Sequence, residues 1–222
     1  MDGATLQARI YAGYAKGALK LGTDYGIYRP IAATNPLTSL IVTQKAALIA
    51  KDLSWMKVNK HGEMVWLCIT DGRQTLTGDY LSSATEKFFI ASQLLNQPIL
   101  CIKCNRTVRL MRMPVSATIG AVAYQGECAA SMQDILGAAG ANGAFGTGWP
   151  ASILLKGRAE STGSGLPGAT RNVGWEVLLP SSIGVTIQES DVLIDDLGRK
   201  YSIQAAEQSD LGWRLVTVEE HP

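Results

Sequence analysis

Residues that could carry out catalysis are few in this chain. Its two histidines are His61 and His221, and His61 lies in a turn-like Asn-Lys-His-Gly stretch, where a solvated loop histidine is the common case. No HExxH, Walker A, GxSxG or EF-hand pattern is present. Asp195, Asp196 and Glu207 could form paired carboxylates, but the turn-like composition around the two aspartates explains them better. The sequence predicts a protein that is not an enzyme and has no cofactor and no metal site.

The four cysteines could be redox-active or metal-binding residues. Cys101 and Cys104 form a CxxC, the spacing of a redox pair or of half a zinc site. Cys68 and Cys128 have no ligand-type neighbour at short spacing. The surrounding Pro98–Val108 run predicts a strand, in which positions three apart point to opposite faces. We therefore expect structural, reduced cysteines, which is typical of assembly inside a cell.

The composition indicates a folded protein of low charge. The chain has 222 residues, of which 46% are apolar and 18% charged, and its formal net charge is +1. This length is enough for one large domain or two small ones. No apolar run approaches the ~18–20 residues that span a bilayer, and Asp2 stands where a signal peptide would be basic. Membrane anchoring and non-specific nucleic-acid binding are therefore not expected.

The clearest predicted element is a helix over residues 3–21. Asp2 can cap its start, apolar side chains recur near helical spacing, and Gly22 is typical of a helix end. Its many alanines and glycines allow close docking, either on a neighbouring copy or on its own domain. Residues 23–37 follow neither a helical nor a strand period and predict an extended arm. We expect this N-terminal segment, residues 1–37, to become ordered mainly against neighbouring copies.

The rest of the chain predicts two β modules. Alternating and β-branched runs occupy 38–115, the first module, and 151–222, the second. Residues 116–150 between them predict a short helix, over 129–136, and a Gly/Ala-rich linker. The predicted fold class is mainly β with a minor α part: an N-terminal helix and arm, then two small barrel- or sandwich-like modules joined by a Gly-rich segment.

Two segments of the chain are similar to each other. Residues 78–93 and 190–204 both contain Asp, two apolar residues, a polar turn, a Lys-aromatic pair and then alternation through an Ile. One interpretation is a hairpin unit used twice, in which the Asp binds turn amides and alternate residues fill a small barrel. The other is chance similarity between two hairpins.

Charge is distributed unevenly along the chain. The segment Lys87–Arg112 carries five basic residues and no acidic one, whereas Glu189–Pro222 carries eight acidic and three basic residues. Such opposite patches could pair within the chain, or between copies in a head-to-tail contact that closes into a ring. They could also be solvated faces of separate sheets, and a basic surface that faces DNA is a weaker alternative.

Three stretches carry a resemblance to a protein family. They read QARIYAGYAKGALKLGTDYGIYRP, GDYL…KFFIASQ…PILCIKCNRTV and SDVLIDDLGRKYSIQAAEQSDLGWRLVTV. They resemble head-to-tail connector, collar or neck proteins of tailed bacteriophages. The resemblance implies a non-enzymatic virion protein, assembled in the host cytoplasm, that forms a homo-oligomeric ring between portal-side and tail-side proteins. It also implies a lumen through which DNA passes without specific binding.

The side chains expected at contacts between copies come from the helix, the arm and the two charged patches. They are Leu6, Ile10, Tyr14, Tyr25, Tyr28, Arg106, Arg109, Asp195 and Asp196.

The alternative function is a tail or baseplate binding module that contacts carbohydrate or another tail protein. Exposed Trp149, Trp175 or Trp213 could then stack on sugar rings, although tryptophans within strands more often anchor a core.

Overall fold

The computed structural model describes residues 2–31, 35–50, 64–113, 132–137, 148–155 and 174–220, and every structural statement below refers to these residues. Within them the fold is mainly β, with an N-terminal helix and two small closed β-barrels. The predicted fold class is therefore confirmed.

The elements are numbered in chain order. The first group comprises α1 (Gly3–Leu21), β1 (Thr23–Tyr28), β2 (Leu40–Ala50), β3 (Val65–Ile69), β4 (Tyr80–Ser82), β5 (Lys87–Ser92) and β6 (Ile99–Cys104). The second group comprises β7 (Arg106–Arg112), β8 (Gln133–Asp134), β9 (Trp149–Leu155), β10 (Gly174–Leu179), β11 (Val192–Asp195), β12 (Lys200–Ser209) and β13 (Gly212–Glu220).

Helix α1 begins and ends where the sequence predicts. Asp2 caps it, because its carboxylate accepts the Thr5 backbone N–H at 2.7 Å. Gly22 ends it and donates its N–H to the Ala18 carbonyl. A Cβ at position 22 would lie 2.7 Å from backbone atoms of Ala18 and Ala46. Glycine is needed here because the helix end approaches β2 closely.

The first barrel contains β1 to β6. Its strand order is β1-β2-β3-β6-β5-β4, and β4 pairs with β1 to close it. All neighbouring strands are antiparallel. Alternate residues point inward and form a core that includes Ile27, Leu81, Phe88, Ile90 and Ile99.

The second barrel contains β7 and the strands from β9 onward. Its order is β7-β9-β10-β13-β12-β11, and β11 pairs with β7 to close it. The short strand β8 adds a further pairing to β7. Its core includes Val108, Leu110, Ile153, Val177 and Leu215. Closing each barrel pairs its first strand with its last by hydrogen bonds. An unpaired strand edge is where another strand usually adds.

The arm prediction for residues 23–37 is wrong in its first part. Residues 23–28 form β1, which pairs with β2 and β4 and completes the first barrel. Tyr25 and Ile27 alternate into the barrel core, while Asp24 and Gly26 point away from it. The alternation spans only two inward side chains and is interrupted by glycine, which explains why the sequence did not reveal a strand.

The barrels do not follow the predicted module ranges 38–115 and 151–222. The Pro98–Val108 run predicts one strand, yet it contains β6 of the first barrel and the start of β7 of the second, separated by Asn105 alone. The short helix predicted over 129–136 is also corrected, since residues 133–134 form strand β8. Residues 138–147 of the predicted Gly/Ala-rich linker lie outside the described residues.

The barrels are held together at this junction. The Asn105 side chain donates to the Ile153 carbonyl and accepts the Ile153 N–H, both at 2.8 Å. Tyr80 on β4 points out of the first barrel, and its hydroxyl donates to the Pro150 carbonyl at 2.8 Å. The Tyr80 ring also lies edge-on to the Trp149 ring, with centroids 6.2 Å apart. One continuous apolar cluster therefore joins the outside of the first barrel to the core of the second.

Candidate interaction surfaces

The two barrels are the same arrangement built twice. Reading β7, β9, β10, β13, β12 and β11 in place of β1, β2, β3, β6, β5 and β4 reproduces the complete strand order. The register agrees as well, because Ile27 pairs with Leu81 where Leu110 pairs with Leu193. Positions in the two barrels can therefore be matched residue by residue.

An irregularity in the strand ladder is also repeated. The β5–β6 ladder shifts register between Ile90 and Ser92, and the β12–β13 ladder shifts at the matched place, between Ile203 and Ala205. A shift of this kind is a built feature of a barrel strand that bends. The similarity between the two segments seen in the sequence is thus a repeat in the structure.

Each barrel carries an arginine–aspartate clasp at a matched position. Arg29 donates to both carboxylate oxygens of Asp79 at 2.9 and 2.7 Å, and Arg112 donates to both oxygens of Asp191 at 2.7 Å. Each aspartate also accepts the backbone N–H of the residue three positions before it, at 2.8 Å. Both aspartates are only 2% exposed. The carboxylates are therefore committed to holding the loop before β4 or β11 against the end of β1 or β7.

Asp195 has a structural role in the β11–β12 turn. It is fully buried, and its carboxylate accepts the backbone N–H groups of Leu197 and Arg199 and the Tyr201 hydroxyl, at 2.9, 2.8 and 3.2 Å. Burial, together with this carboxylate, raises the pKa of Tyr201 to about 12. In the first barrel the matched position is Ser83, whose hydroxyl accepts turn amides in the same way.

Helix α1 lies on the first barrel of its own chain. Tyr11 is buried against Gly72, where an added Cβ would lie 2.6 Å from the Tyr11 ring. The Tyr11 hydroxyl accepts a hydrogen bond from the Gln93 side chain at 3.1 Å, and Ala18 is 1% exposed. The expectation that residues 1–37 become ordered mainly against neighbouring copies is therefore wrong for α1 and β1. The side chains that face the barrel are already covered within the chain.

The outer side of α1 is basic and partly apolar. Lys16 and Lys20 are exposed and form no ion pair with any described residue. Residues 3–21 contain no acidic side chain. Leu19 and Leu21 are 68% and 72% exposed. This end of the molecule therefore presents positive charge beside leucine side chains.

A groove of about 410 Å³ lies between α1 and the first barrel. Ala15 and Leu19 form its helix side, and Asp24 and Lys45 contribute to its barrel side. The Lys45 ammonium lies 3.3 Å from the Asp24 carboxylate, and the Asp24 side chain is 69% exposed. The groove therefore has a leucine on one wall and an ion pair on the other.

The basic segment is divided between the barrels: Lys87 and Lys103 lie on β5 and β6 of the first barrel, whereas Arg106, Arg109 and Arg112 lie on β7 of the second barrel, beside β11. The sequence placed the basic and acidic patches on separate modules, and for the three arginines that assignment is wrong. Arg112 pairs with Asp191, and Arg106 lies 4.0 Å from Asp196. Arg109 is 7% exposed. Much of this charge is thus matched within the chain, one of the two arrangements that the sequence left open.

The other residues expected at contacts between copies have mixed positions. Leu6 is 42% exposed, and Ile10 is partly exposed. Tyr14 and Tyr28 are partly buried against the chain's own clusters, and Tyr25 is 5% exposed inside the first barrel. Tyr25, together with Arg109 and Asp195, is therefore removed from the candidate surface because its side chain is covered by its own barrel.

The cysteines in the described residues are free thiols. Cys101 lies in the core of the first barrel, and Cys104, three positions on, packs toward the cluster between the barrels. Burial raises the pKa of both thiols, and the neighbouring Cys68 raises that of Cys101 further. The opposite orientation within the CxxC follows from the strand, as the sequence predicts. Cys128 lies outside the described residues, as do His61 and His221.

The tryptophans considered as sugar platforms are largely covered. Trp149 is 1% exposed and Trp213 is 5% exposed. Trp175 is half-buried and lies edge-on to Tyr201, with ring centroids 5.9 Å apart. The matched Trp66 lies edge-on to Phe88 in the first barrel, so both pairs are part of the repeat.

No group of three or more potential metal-ligating side chains occurs in the described part of the chain. None of the helical residues described is in a segment long and apolar enough to cross a bilayer.

Comparison with known proteins identified no relative: no family model, curated protein or solved structure matches this chain.

Sequence reasoning missed the arginine half of each clasp. The aspartates were part of the similar segments, but Arg29 and Arg112 lie 50 and 79 residues away from them in the chain. Both arginines follow or end the first strand of a barrel, a signal that becomes readable only once the strands are assigned. Tyr80 was also missed, because nothing in a local pattern says which outward side chain meets another barrel.

Proposed function

We propose that this chain is a non-enzymatic structural protein of a tailed-phage virion, whose copies form a homo-oligomeric ring in the head-to-tail region. In that ring it joins portal-side and tail-side proteins and leaves a lumen through which DNA passes without specific contacts. The proposal starts from the resemblance to connector and collar proteins. The observation that carries it is a tandem of two like closed barrels packed on each other, with a basic, leucine-bearing helix on the outside of the first barrel.

The tandem is suited to holding two layers of an assembly in a fixed relative position. At the junction, the side-chain amide of Asn105 binds the backbone of Ile153 in the second barrel. The Tyr80 ring is buried between the two barrels, and its hydroxyl binds the Pro150 carbonyl. Contacts of this kind fix the relative orientation of two small domains more firmly than a flexible linker does. Because both barrels are closed, copies would join through barrel faces and the helix, not by extending a sheet.

The buried acidic residues act as structural groups. Asp79 and Asp191 hold loops through arginine clasps, and Asp195 organises a turn. Each has its carboxylate saturated by donors from its own chain. This use of carboxylates favours a structural role over the paired-carboxylate enzyme considered from the sequence.

The carbohydrate-binding alternative is less well supported. A sugar platform requires an exposed aromatic face, and Trp149 and Trp213 are buried in the second barrel. Trp175 uses its ring in a contact with Tyr201. Within the described part of the chain, a binding module would need an exposed aromatic side chain other than these three.

The test is the native mass of the full-length chain, with negative-stain imaging of the same sample. We expect closed rings of one size whose mass is a whole multiple of 23.7 kDa. A mass of one chain at every concentration, combined with binding on a glycan array, would favour the alternative.

A further inference from the structure

Strand β2 is longer than the strand that pairs with it on one side. Residues 40–46 of β2 pair with β1, but only residues 47–50 pair with β3. Along the first half of β2, the edge that faces away from β1 has no strand beside it in the described part of the chain. The first barrel is closed by β1 and β4, yet it keeps this stretch of open edge on β2. We call it the β2 edge.

Side-chain hydrogen bonds turn the chain away from β2 at the end of β3. The Thr70 hydroxyl, one residue after β3, donates to the Lys45 carbonyl at 3.0 Å. The Gln44 side-chain amide donates to the Asp71 carbonyl at 3.2 Å. These bonds use side chains where a continuing ladder would use backbone, so β3 stops beside Lys45 and leaves the rest of β2 unpaired.

Two residues on the β2 edge direct their backbone groups away from β1. Because the Lys45 carbonyl receives Thr70, which follows β3, the backbone of Lys45 faces the β3 side. The N–H and C=O of one strand residue point to the same side, and every second residue repeats that direction. The N–H of Lys45 and both backbone groups of Thr43 therefore face the open edge. No other described backbone group pairs with them.

The groove of about 410 Å³ beside α1 runs along this edge. Thr43 and Lys45 line its strand side, and Ala15 and Leu19 line its helix side. Leu19 is 68% exposed. The groove therefore places unpaired main-chain groups on one wall opposite an apolar side chain on the other.

Charge does not select what enters the groove. Its two carboxylates, Asp24 and Asp71, are each paired within the chain, with Lys45 at 3.3 Å and with Arg73 at 2.6 Å. The groups that remain to bind an occupant are the backbone of the β2 edge and the leucine.

The second barrel protects the same place. Register matches Lys45 with Pro150 on β9. Proline has no N–H, and the Pro150 carbonyl accepts the Tyr80 hydroxyl of the first barrel at 2.8 Å. Proline and cover by another element are two ways in which proteins block strand addition at an edge. The second barrel has both, whereas Lys45 keeps its N–H and borders an open groove.

We propose that an extended peptide segment of another protein adds to the β2 edge, antiparallel to β2. Its backbone exchanges hydrogen bonds with Thr43 and Lys45 and continues the β2–β3 ladder where β3 stops. One of its apolar side chains packs on Leu19. Strand addition of this kind takes its affinity from main-chain hydrogen bonds and its selectivity from side-chain contacts.

The described strands are already paired within their own sheets, so the added segment is assigned to another protein. In the proposed ring this is a portal-side or tail-side neighbour. For that assignment the inference rests on the proposed function, whereas the peptide site itself does not.

Proline at position 45 tests the main-chain contact. Lys45→Pro copies Pro150 and removes one N–H from the β2 edge, while the ladder with β1 stays intact because this N–H faces away from it. Lys45→Ala is the matched control, since it loses the same ammonium and keeps the N–H. The probes are short peptides selected from a random library on the immobilised full-length chain, and titration calorimetry measures their binding.

We expect the selected peptides to bind Lys45→Ala as they bind the wild type, and Lys45→Pro about tenfold more weakly, because a main-chain hydrogen bond is lost. Amide exchange at Thr43 and Lys45 should slow when a peptide is bound to the wild type. Circular dichroism and thermal melting check that both variants are folded.

A second pair of variants tests the helix wall. Leu19→Trp narrows the groove and should weaken peptide binding. Leu21→Trp is its control, because Leu21 is 72% exposed and lies outside the groove lining. Both changes are at exposed positions, so this pair gives a result even if Lys45→Pro does not fold.

The site is overturned if no peptide is selected, or if the selected peptides bind equally to both members of each pair. If Lys45→Pro breaks a ring that Lys45→Ala keeps, the strand comes from a second copy, and the assignment to another protein is wrong. A wild-type chain that stays monomeric but binds peptides in the expected pattern would overturn the proposed function and leave the peptide site standing.

Discussion

The two barrels share a strand order, a register and a ladder shift, but they carry different side chains on their outer faces. Where the first barrel has Phe89 and Ile102 facing outward, the second has Ser202 and Val218. The large pair is buried between the barrels, whereas the small pair lies on the surface. The barrel architecture therefore does not depend on the outward positions, which instead decide what each barrel packs against.

Side chains at inward-facing and turn positions are more alike in the two barrels than those at outward positions. Both barrels place a tryptophan edge-on to an aromatic ring, Trp66 with Phe88 and Trp175 with Tyr201. Both also use a buried Asp with a distant Arg to hold the loop before the fourth strand. These shared features indicate which interactions the barrel itself requires.

The largest difference between the barrels in the free energy of unfolding is expected for substitutions at matched outward positions. Phe89→Ala should lower the free energy of unfolding by about 3–5 kcal/mol, because it opens a cavity between the barrels. Ser202→Ala, at the matched surface position, should change it by no more than about 0.5 kcal/mol. Urea denaturation with comparison of the midpoints measures both. Equal effects of the two substitutions would show that the outer faces are energetically alike.

A second prediction concerns what the barrels share. Asp79→Asn and Asp191→Asn should each lower the free energy of unfolding by about 2–3 kcal/mol, since each leaves an arginine without its carboxylate. The value lies below that of fully enclosed pairs because Arg29 and Arg112 are 32% and 30% exposed. Thermal and urea unfolding of the two variants measures the loss.

The control for the clasps is the exposed pair of Asp24 with Lys45. Asp24 is 69% exposed, so Asp24→Asn should cost less than about 1 kcal/mol. If one clasp variant is as mild as this control, the repeated geometry does not have a repeated energetic role.

The smallest expected effect concerns the residue before each clasp aspartate. Gly78 and Ser190 both have a positive φ, of 91° and 74°. Ser190→Gly should raise the free energy of unfolding by about 0.5–1 kcal/mol, because glycine adopts this backbone without strain. Gly78→Ser should lower it by about 1–2 kcal/mol, since its Cβ would also lie 2.9 Å from the Cβ of Ser182. Melting temperatures of the exchanged pair give the sign, and a stabilising Gly78→Ser would refute the equivalence.

Several parts of the fold could be predicted because their signals are local. Helix α1 was recognisable from its Asp2 cap, its spacing of apolar residues and Gly22. Opposite orientation of Cys101 and Cys104 followed from the strand that carries them. The repeat was visible because its aspartates and Lys-aromatic pairs lie within one hairpin in each barrel.

Other parts could not be predicted because they depend on partners far away in the chain. The boundary at Asn105 was hidden, since β6 and β7 form one continuous alternating run in the sequence. Arg109 and Asp195 were expected on a surface because they are charged, but their own barrel covers them. The charge patches were assigned to separate modules because sequence distance does not show that β7 and β11 are neighbours.

The amino-acid sequence by itself determined the class of the fold, the helix and the similarity of two hairpin segments, because periodicity and turn chemistry act over a few residues. Tertiary structure alone decided which strands close each barrel and which outward face is buried, because barrel closure pairs strands that are distant in sequence. It also decided that α1 is docked on its own chain. The surfaces left for other copies are what remain after those long-range pairings are made.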